Sequence, residues 1–180
     1  MTLNNEIEEI VLKKISVYST SIENIHLLET VASFIETNKH KFTERTWNCN
    51  SQTSVKISKN ILYDIEEFNY LTAELEKIIK RFLYKVFNKN LPFMIVDSWI
   101  NILGENGYQE PHIHGDVISG VLYLTEDNSE IEFIVYPEDE RKKVIPKKGD
   151  VLLFDGTTYH RVVESKHERM SLAFNLRALK

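Results

Sequence analysis

The sequence predicts an α+β, mainly β fold: a jelly roll with N-terminal helices packed on one of its sheets. Three observations carry this reading. All six glycines (104, 107, 115, 120, 149 and 156) and all four prolines (92, 111, 137 and 146) lie in the second half of the 180-residue chain. Such residues punctuate turns, so this half reads as a succession of short strands. The first 90 residues contain neither breaker and carry two apolar stripes at helical spacing.

Val11, Ile15 and Val17 alternate with lysines and a serine, which suggests an edge strand. Ser21 reads as the N-cap of a first helix, with Ile22, Ile25, Leu28, Ala32 and Ile35 at steps of three and four. Residues 44–58 (ERTWNCNSQTSVKIS) form a short irregular or hairpin segment. The second helix is the stronger one. Ile65, Phe68, Leu71, Leu75, Ile78, Ile79, Phe82 and Val86 make one stripe, and Glu67, Glu74, Glu76, Lys77, Lys80 and Lys85 lie off it. Eight strands are then predicted: 93–103, 109–112, 117–124, 130–135, 142–145, 151–154, 160–163 and 169–176. There is no internal repeat and no linker. The expectation is a single domain over residues 1–180, with 1–92 as helical support and 93–180 as the jelly-roll core.

The charge balance is mildly acidic: 22 basic and 27 acidic side chains give a net charge of −5. No basic face is forced by composition, so nucleic-acid binding is not expected. No apolar run approaches the roughly 20 residues of a membrane-spanning helix. The N-terminal residues MTLNNEIEEIVLKK are acidic before they are apolar, unlike a secretory signal. A lone cysteine, Cys49, cannot make an internal disulfide or a multi-cysteine metal site. The expected compartment is the cytoplasm.

Of six histidines, His26, His40 and His167 read as surface or boundary residues. His112 and His114, in PHIHGD, are two apart at a strand end and point to one face. His160 opens a later strand that can neighbour theirs in a jelly roll, so the three can converge at the barrel mouth. Neutral imidazoles in a pre-formed pocket suit iron, copper, nickel or zinc. On the last strand, Met170, Leu172, Phe174 and Leu176 share one face. Arg169, Ser171, Ala173 and Asn175 share the other. That second face is either solvated or lines a polar pocket, where Arg169 is a bidentate partner for a carboxylate and Ser171 an added donor.

Taken together, these residues resemble the iron(II)- and 2-oxoglutarate-dependent oxygenases, whose core is a double-stranded β-helix. The pattern is H-x-acid, a distal H, then R-x-S, and the chain offers His112-x-His114, His160 and Arg169-x-Ser171. One group of these oxygenases shares more: Trp47–Ser54 (WNCNSQTS), Trp99-Ile-Asn101, SGVLYL at 119–124, GDVLLF at 149–154 and ERMSLAFN at 168–175. The resemblance covers roughly residues 45–178. Prolyl hydroxylases and aspartyl/asparaginyl β-hydroxylases support the register. In the latter the ligand histidine precedes a Y-L strand as His112 does here, and Phe154-Asp155-x-x-x-x-His160 has a counterpart.

The resemblance implies an iron(II) dioxygenase that consumes O2 and 2-oxoglutarate, releases succinate and CO2, and hydroxylates its substrate. Where the family has Asp or Glu, this chain has His114. Two ligand sets stay open: His112, His114 and His160, or a register slipped by two, His114, Asp116 and His160. The first is preferred on spacing. Arg169 and Ser171 would take the far carboxylate of 2-oxoglutarate, with Tyr123, Asn101 and Asn175 completing the cofactor-binding set. Trp99 reads as core packing, and Trp47 as core or entrance.

Two other classes compete. One is a cupin-like three-histidine dioxygenase without 2-oxoglutarate. The other is a non-catalytic metal-binding jelly roll. The first does not need Arg169 and Ser171 on the pocket side, and the second would show no turnover. The implied partner is a small molecule or an amino-acid residue, without nucleic acid or membrane. The substrate and the oligomeric state are left open.

Overall fold

The structure, a computed structural model, describes residues 8–12, 15–45, 49–126, 129–136 and 140–179. Trp47, expected near the entrance, lies outside them. The first half runs β1 (Glu8–Leu12), β2 (Ile15–Ser21), α1 (Ile25–Asn38), β3 (Thr43–Arg45), β4 (Ser51–Thr53), α2 (Ile61–Asp64) and α3 (Asn69–Phe87). The second half is all strand: β5 (Phe93–Leu103), β6 (Gln109–His112), β7 (Ile118–Tyr123), β8 (Ile131–Val135), β9 (Glu140–Val144), β10 (Asp150–Asp155), β11 (Tyr159–Val162) and β12 (Arg169–Ala178). These eight are the eight expected, with ends shifted by at most two residues.

Two antiparallel sheets face each other. The large one has eight strands in the order β1-β2-β10-β7-β12-β5-β4-β3, and the small one has four in the order β6-β11-β8-β9. Helices α1 and α3 cover the outer face of the large sheet, as expected. Leu28, Val31 and Ile35 of α1, and Leu71, Leu75, Ile78, Ile79, Phe82 and Leu83 of α3, pack on Ile100, Leu122, Leu153, Leu172 and Phe174 in one buried cluster. Burial of an amphipathic face, rather than propensity, is what holds such helices. A second cluster, Val17, Tyr123, Ile131, Phe133, Leu152 and Phe154, fills part of the space between the sheets. Among the described residues no helix is long and apolar enough to cross a membrane.

The first half differs from its sequence reading at identifiable points. Ser21 does not cap α1. It ends β2, where its Oγ donates to Asp150 Oδ1 at 2.9 Å, and the next N–H, of Ile22, donates to Gly149 O at 2.8 Å. Strand pairing thus outcompetes the cap, and Asn24 takes the capping role by accepting from His26 N–H at 3.2 Å. The face of α1 that packs on the sheet runs through Leu28, Val31 and Ile35, which leaves Ile25 and Ala32 exposed. The predicted edge strand is a hairpin whose inner member, β2, pairs with β10, which explains why Val17 is buried between the sheets. Ile65 and Phe68 precede α3 rather than belong to it, and Val86 is partly exposed.

Gly120 shows how tightly the large sheet meets the helices. It sits opposite Phe174 in the β7–β12 ladder, and a Cβ there would lie 2.1 Å from the phenyl ring. Only glycine leaves room for that ring to lie across its neighbouring strand.

Candidate metal centre

The small sheet brings the histidines together. His160 on β11 is the ladder partner of His112 at the end of β6. His114 follows two residues later, and its backbone N–H donates to Gly156 O at 2.7 Å, which pins the turn. The ring centroids are 4.2 Å (His112–His160), 5.1 Å (His114–His160) and 5.2 Å (His112–His114) apart. Each ring offers a nitrogen within 4.8 Å of the other two. Asp116 is exposed and does not join this group, so the slipped set is not assembled.

Hydrogen bonds select the tautomer. His112 Nδ1 lies 2.9 Å from Glu110 O, His114 Nδ1 2.9 Å from Asn175 Oδ1, and His160 Nδ1 2.9 Å from Thr158 O. All three partners are acceptors, so Nδ1 carries a hydrogen, and in the neutral ring Nε2 then holds the lone pair. Metal-ligating histidines are held in this way. His160 is buried against Phe154, with ring centroids 4.8 Å apart. Burial, with His112 and His114 beside it, pushes its pKa well below 6.5, against the opposing pull of its bond to Thr158 O. A neutral ring is the form that binds a metal.

The large sheet supplies the facing wall. Asn101 on β5, Ser171 on β12 and Tyr123 on β7 form one cross-strand row, and all three line the cavity that contains the histidines. Arg169 lines it too. It is only 2% exposed, its guanidinium carbon lies 5.0 Å from the Tyr123 ring centroid, and its Nη1 donates to Ser129 O at 3.2 Å. No carboxylate pairs with it among the described residues. A buried guanidinium without a counter-ion is costly unless an anion arrives. Between this polar end and the histidines the wall is made of Val121 and Ala173, whose small side chains leave space above the sheet.

Asn175, expected among the cofactor contacts, lies behind His114. Its Oδ1 accepts from His114 and its Nδ2 donates to Asp97 Oδ1 at 2.7 Å. Trp99, read as core packing, lines the cavity and stacks on His114 with 5.9 Å between centroids. Gln109 was not expected at the site. Its Nε2 approaches His112 Nε2 at 3.2 Å, as a donor to that lone pair. Trp99 was detectable, because it alternates with Asp97 and Asn101 on one face of β5. Gln109 lies beyond a bulge in the β6–β11 ladder, which period-two counting does not anticipate.

No protein-family model matches the sequence, and no curated protein matches it. Solved structures do. A prolyl-4-hydroxylase from Pseudomonas putida superposes with a TM-score of 0.68 at 16% identity, covering 91% of this chain and 93% of that one. A prolyl hydroxylase from Trichoplax adhaerens, solved with a hypoxia-inducible-factor peptide, gives 0.68 at 14% identity, covering 89% and 83%. The chain shares the fold of these two structures. A non-heme alpha-ketoglutarate-dependent epimerase of nogalamycin biosynthesis also shares it, with a TM-score of 0.68 at 8% identity over 90% and 77% of the two chains. The double-stranded β-helix expected from the motifs is therefore the architecture present.

Proposed function

We propose that this chain is an iron(II)- and 2-oxoglutarate-dependent oxygenase, acting as a hydroxylase. The observation that carries the reading is that one cavity brings three clustered histidines together with a buried arginine. Three histidines have Nδ1 committed to oxygen acceptors, and a buried Arg169 faces the same space with no carboxylate partner among the described residues. The residues fit the implied groups: His112, His114 and His160 would hold iron(II), and Arg169 with Ser171 would take the far carboxylate of 2-oxoglutarate. Tyr123 and Asn101 would orient that cosubstrate from the same row. Iron supplies the activation of O2 that no side chain here can supply. The balance is substrate C–H plus O2 plus 2-oxoglutarate giving substrate C–OH, succinate and CO2. A three-histidine dioxygenase without 2-oxoglutarate accounts for the histidines but leaves Arg169 unexplained.

The proposed substrate is an amino-acid residue or a small molecule. The Trichoplax neighbour, solved with a peptide, supports the first. The test is anaerobic addition of iron(II) and 2-oxoglutarate, followed by air. A weak visible metal-to-ligand absorption, and succinate above a His160→Ala control, are expected. Absence of both refutes the reading. Screening substrate pools for stimulated succinate release, with mass spectrometry for one added oxygen, then identifies the substrate.

A further inference from the structure

The hydrogen bonds behind His114 run in one direction. Asp97 Oδ1 accepts from Asn175 Nδ2 at 2.7 Å, while Asn175 Oδ1 accepts from Ser119 Oγ at 2.8 Å and from His114 Nδ1 at 2.9 Å. Asp97, Asn175 and Ser119 stand side by side in the ladders of β5, β12 and β7. An amide has one end that donates and one that accepts, whereas a carboxylate only accepts. Asp97 therefore holds the NH2 end of Asn175, and the carbonyl end must face His114. A carbonyl requires a donor, so the imidazole hydrogen sits on Nδ1. Ser119 cannot make this choice, because a hydroxyl suits either end of the amide.

We propose that Asp97 is a positioning residue for the metal centre. Acting through Asn175, it fixes the tautomer and ring orientation of His114 and lends anionic character to a site built of imidazoles, which bind a metal in their uncharged form. The proposal rests on the reading of His114 as a metal ligand. It also explains why only this histidine needs such a device. His112 and His160 donate to backbone carbonyls of Glu110 and Thr158, which present a single chemistry. Of the three, it is His114 whose Nδ1 meets a side-chain amide, with two ends of the same shape, rather than a backbone carbonyl.

The test uses Asp97→Asn, nearly isosteric, whose amide can accommodate either orientation of Asn175. Nitrogen-15 spectra of the metal-free wild type should show His114 protonated on Nδ1, and Asp97→Asn should show mixed tautomers. Affinity for cobalt(II), and anaerobically for iron(II), should fall about 10–100-fold. The reciprocal pair Asp97→Asn with Asn175→Asp should recover most of that loss, since the residue-175 carboxylate accepts from His114 and from the new amide. Unchanged metal affinity in Asp97→Asn, a wild-type His114 protonated on Nε2, or a double variant no better than Asp97→Asn would each overturn the proposal. Wild-type protein that takes up neither metal refutes the ligand reading instead. The tautomer spectra alone then decide the role of Asp97, supporting it if Asp97→Asn mixes the tautomers and overturning it if they do not change.

Discussion

Replacing Arg169 by methionine separates a cosubstrate anchor from a structural arginine. The side chain is 2% exposed, and among the described residues its one hydrogen-bond acceptor is a carbonyl at 3.2 Å, with the face of Tyr123 beside it. In the absence of 2-oxoglutarate the guanidinium is thus desolvated for little return. Exchanging such a charge for an apolar side chain of similar length is often neutral or stabilising. The melting temperature of the cosubstrate-free protein should therefore hold or rise. Loss of one partner of a charge-assisted pair costs about 2–5 kcal/mol. That corresponds to a fall in 2-oxoglutarate affinity of roughly 30- to several thousand-fold. In wild type, 2-oxoglutarate at 100 times its Kd adds about 2.7 kcal/mol of stability, and Arg169→Met should lose about 2 kcal/mol or more of that increment at the same concentration. Thermal shift with and without 2-oxoglutarate, beside calorimetric titration, measures both. A variant that melts much lower yet binds 2-oxoglutarate normally would make Arg169 a structural residue and refute the reasoning.

Three further outcomes are expected. His114→Ala should sharply reduce iron(II) uptake while exposed Asp116→Ala leaves it nearly unchanged, read by anaerobic metal titration; the reverse order would restore the slipped ligand set. His160 has a folded-state pKa below its unfolded value, so the unfolded chain binds its proton first. Stability of the metal-free protein should then be unaffected above about pH 6.5 and fall by up to about 1.4 kcal/mol per pH unit below it. Urea unfolding between pH 7.5 and 5 should show a smaller loss in His160→Asn, and equal slopes would contradict the burial argument. Gly120→Ala drives a Cβ into the Phe174 ring and should destabilise by about 1–3 kcal/mol or more, with partial rescue by Phe174→Leu in a double-mutant cycle.

What the sequence revealed was what local period and motif encode. The alternation of 169–176 separates a helix-facing apolar row from a cavity-facing polar row, and β12 is buried on both faces in that sense. His112 and His160 were placed on neighbouring strands, and they are ladder partners. The departures share a cause. Ser21 ends a strand rather than capping a helix, the edge strand is a hairpin, and Asn175 bonds to His114 and Asp97. Each outcome depends on a partner distant in sequence: Asp150 for Ser21, β10 for β2, and Asp97 with His114 for Asn175. Local propensity does not carry such pairings. Side-chain amides are the hardest case, since their role depends on which end each neighbour demands.

That dependence bears on why position 114 is a histidine where related motifs have a carboxylate. Asn175 Oδ1, already accepting from Ser119 at 2.8 Å, faces residue 114 as an acceptor. An imidazole N–H satisfies it. A carboxylate would set acceptor against acceptor, and turning the amide to relieve this would bring Oδ1 against Asp97. One buried mismatch persists either way, at about 1–3 kcal/mol, or roughly 5- to 150-fold in metal affinity. His114→Asp should therefore bind iron(II) more weakly than wild type, although it restores the acid of the usual triad. Adding Asp97→Asn should recover affinity, because Asn175 can then turn, donate to the residue-114 carboxylate and accept from the new amide. Anaerobic iron(II) titration of wild type, His114→Asp and the double variant gives the comparison. If His114→Asp binds as tightly as wild type, or if Asp97→Asn weakens it further, the surroundings of residue 114 do not select for an imidazole, and the case for histidine there reduces to ring geometry.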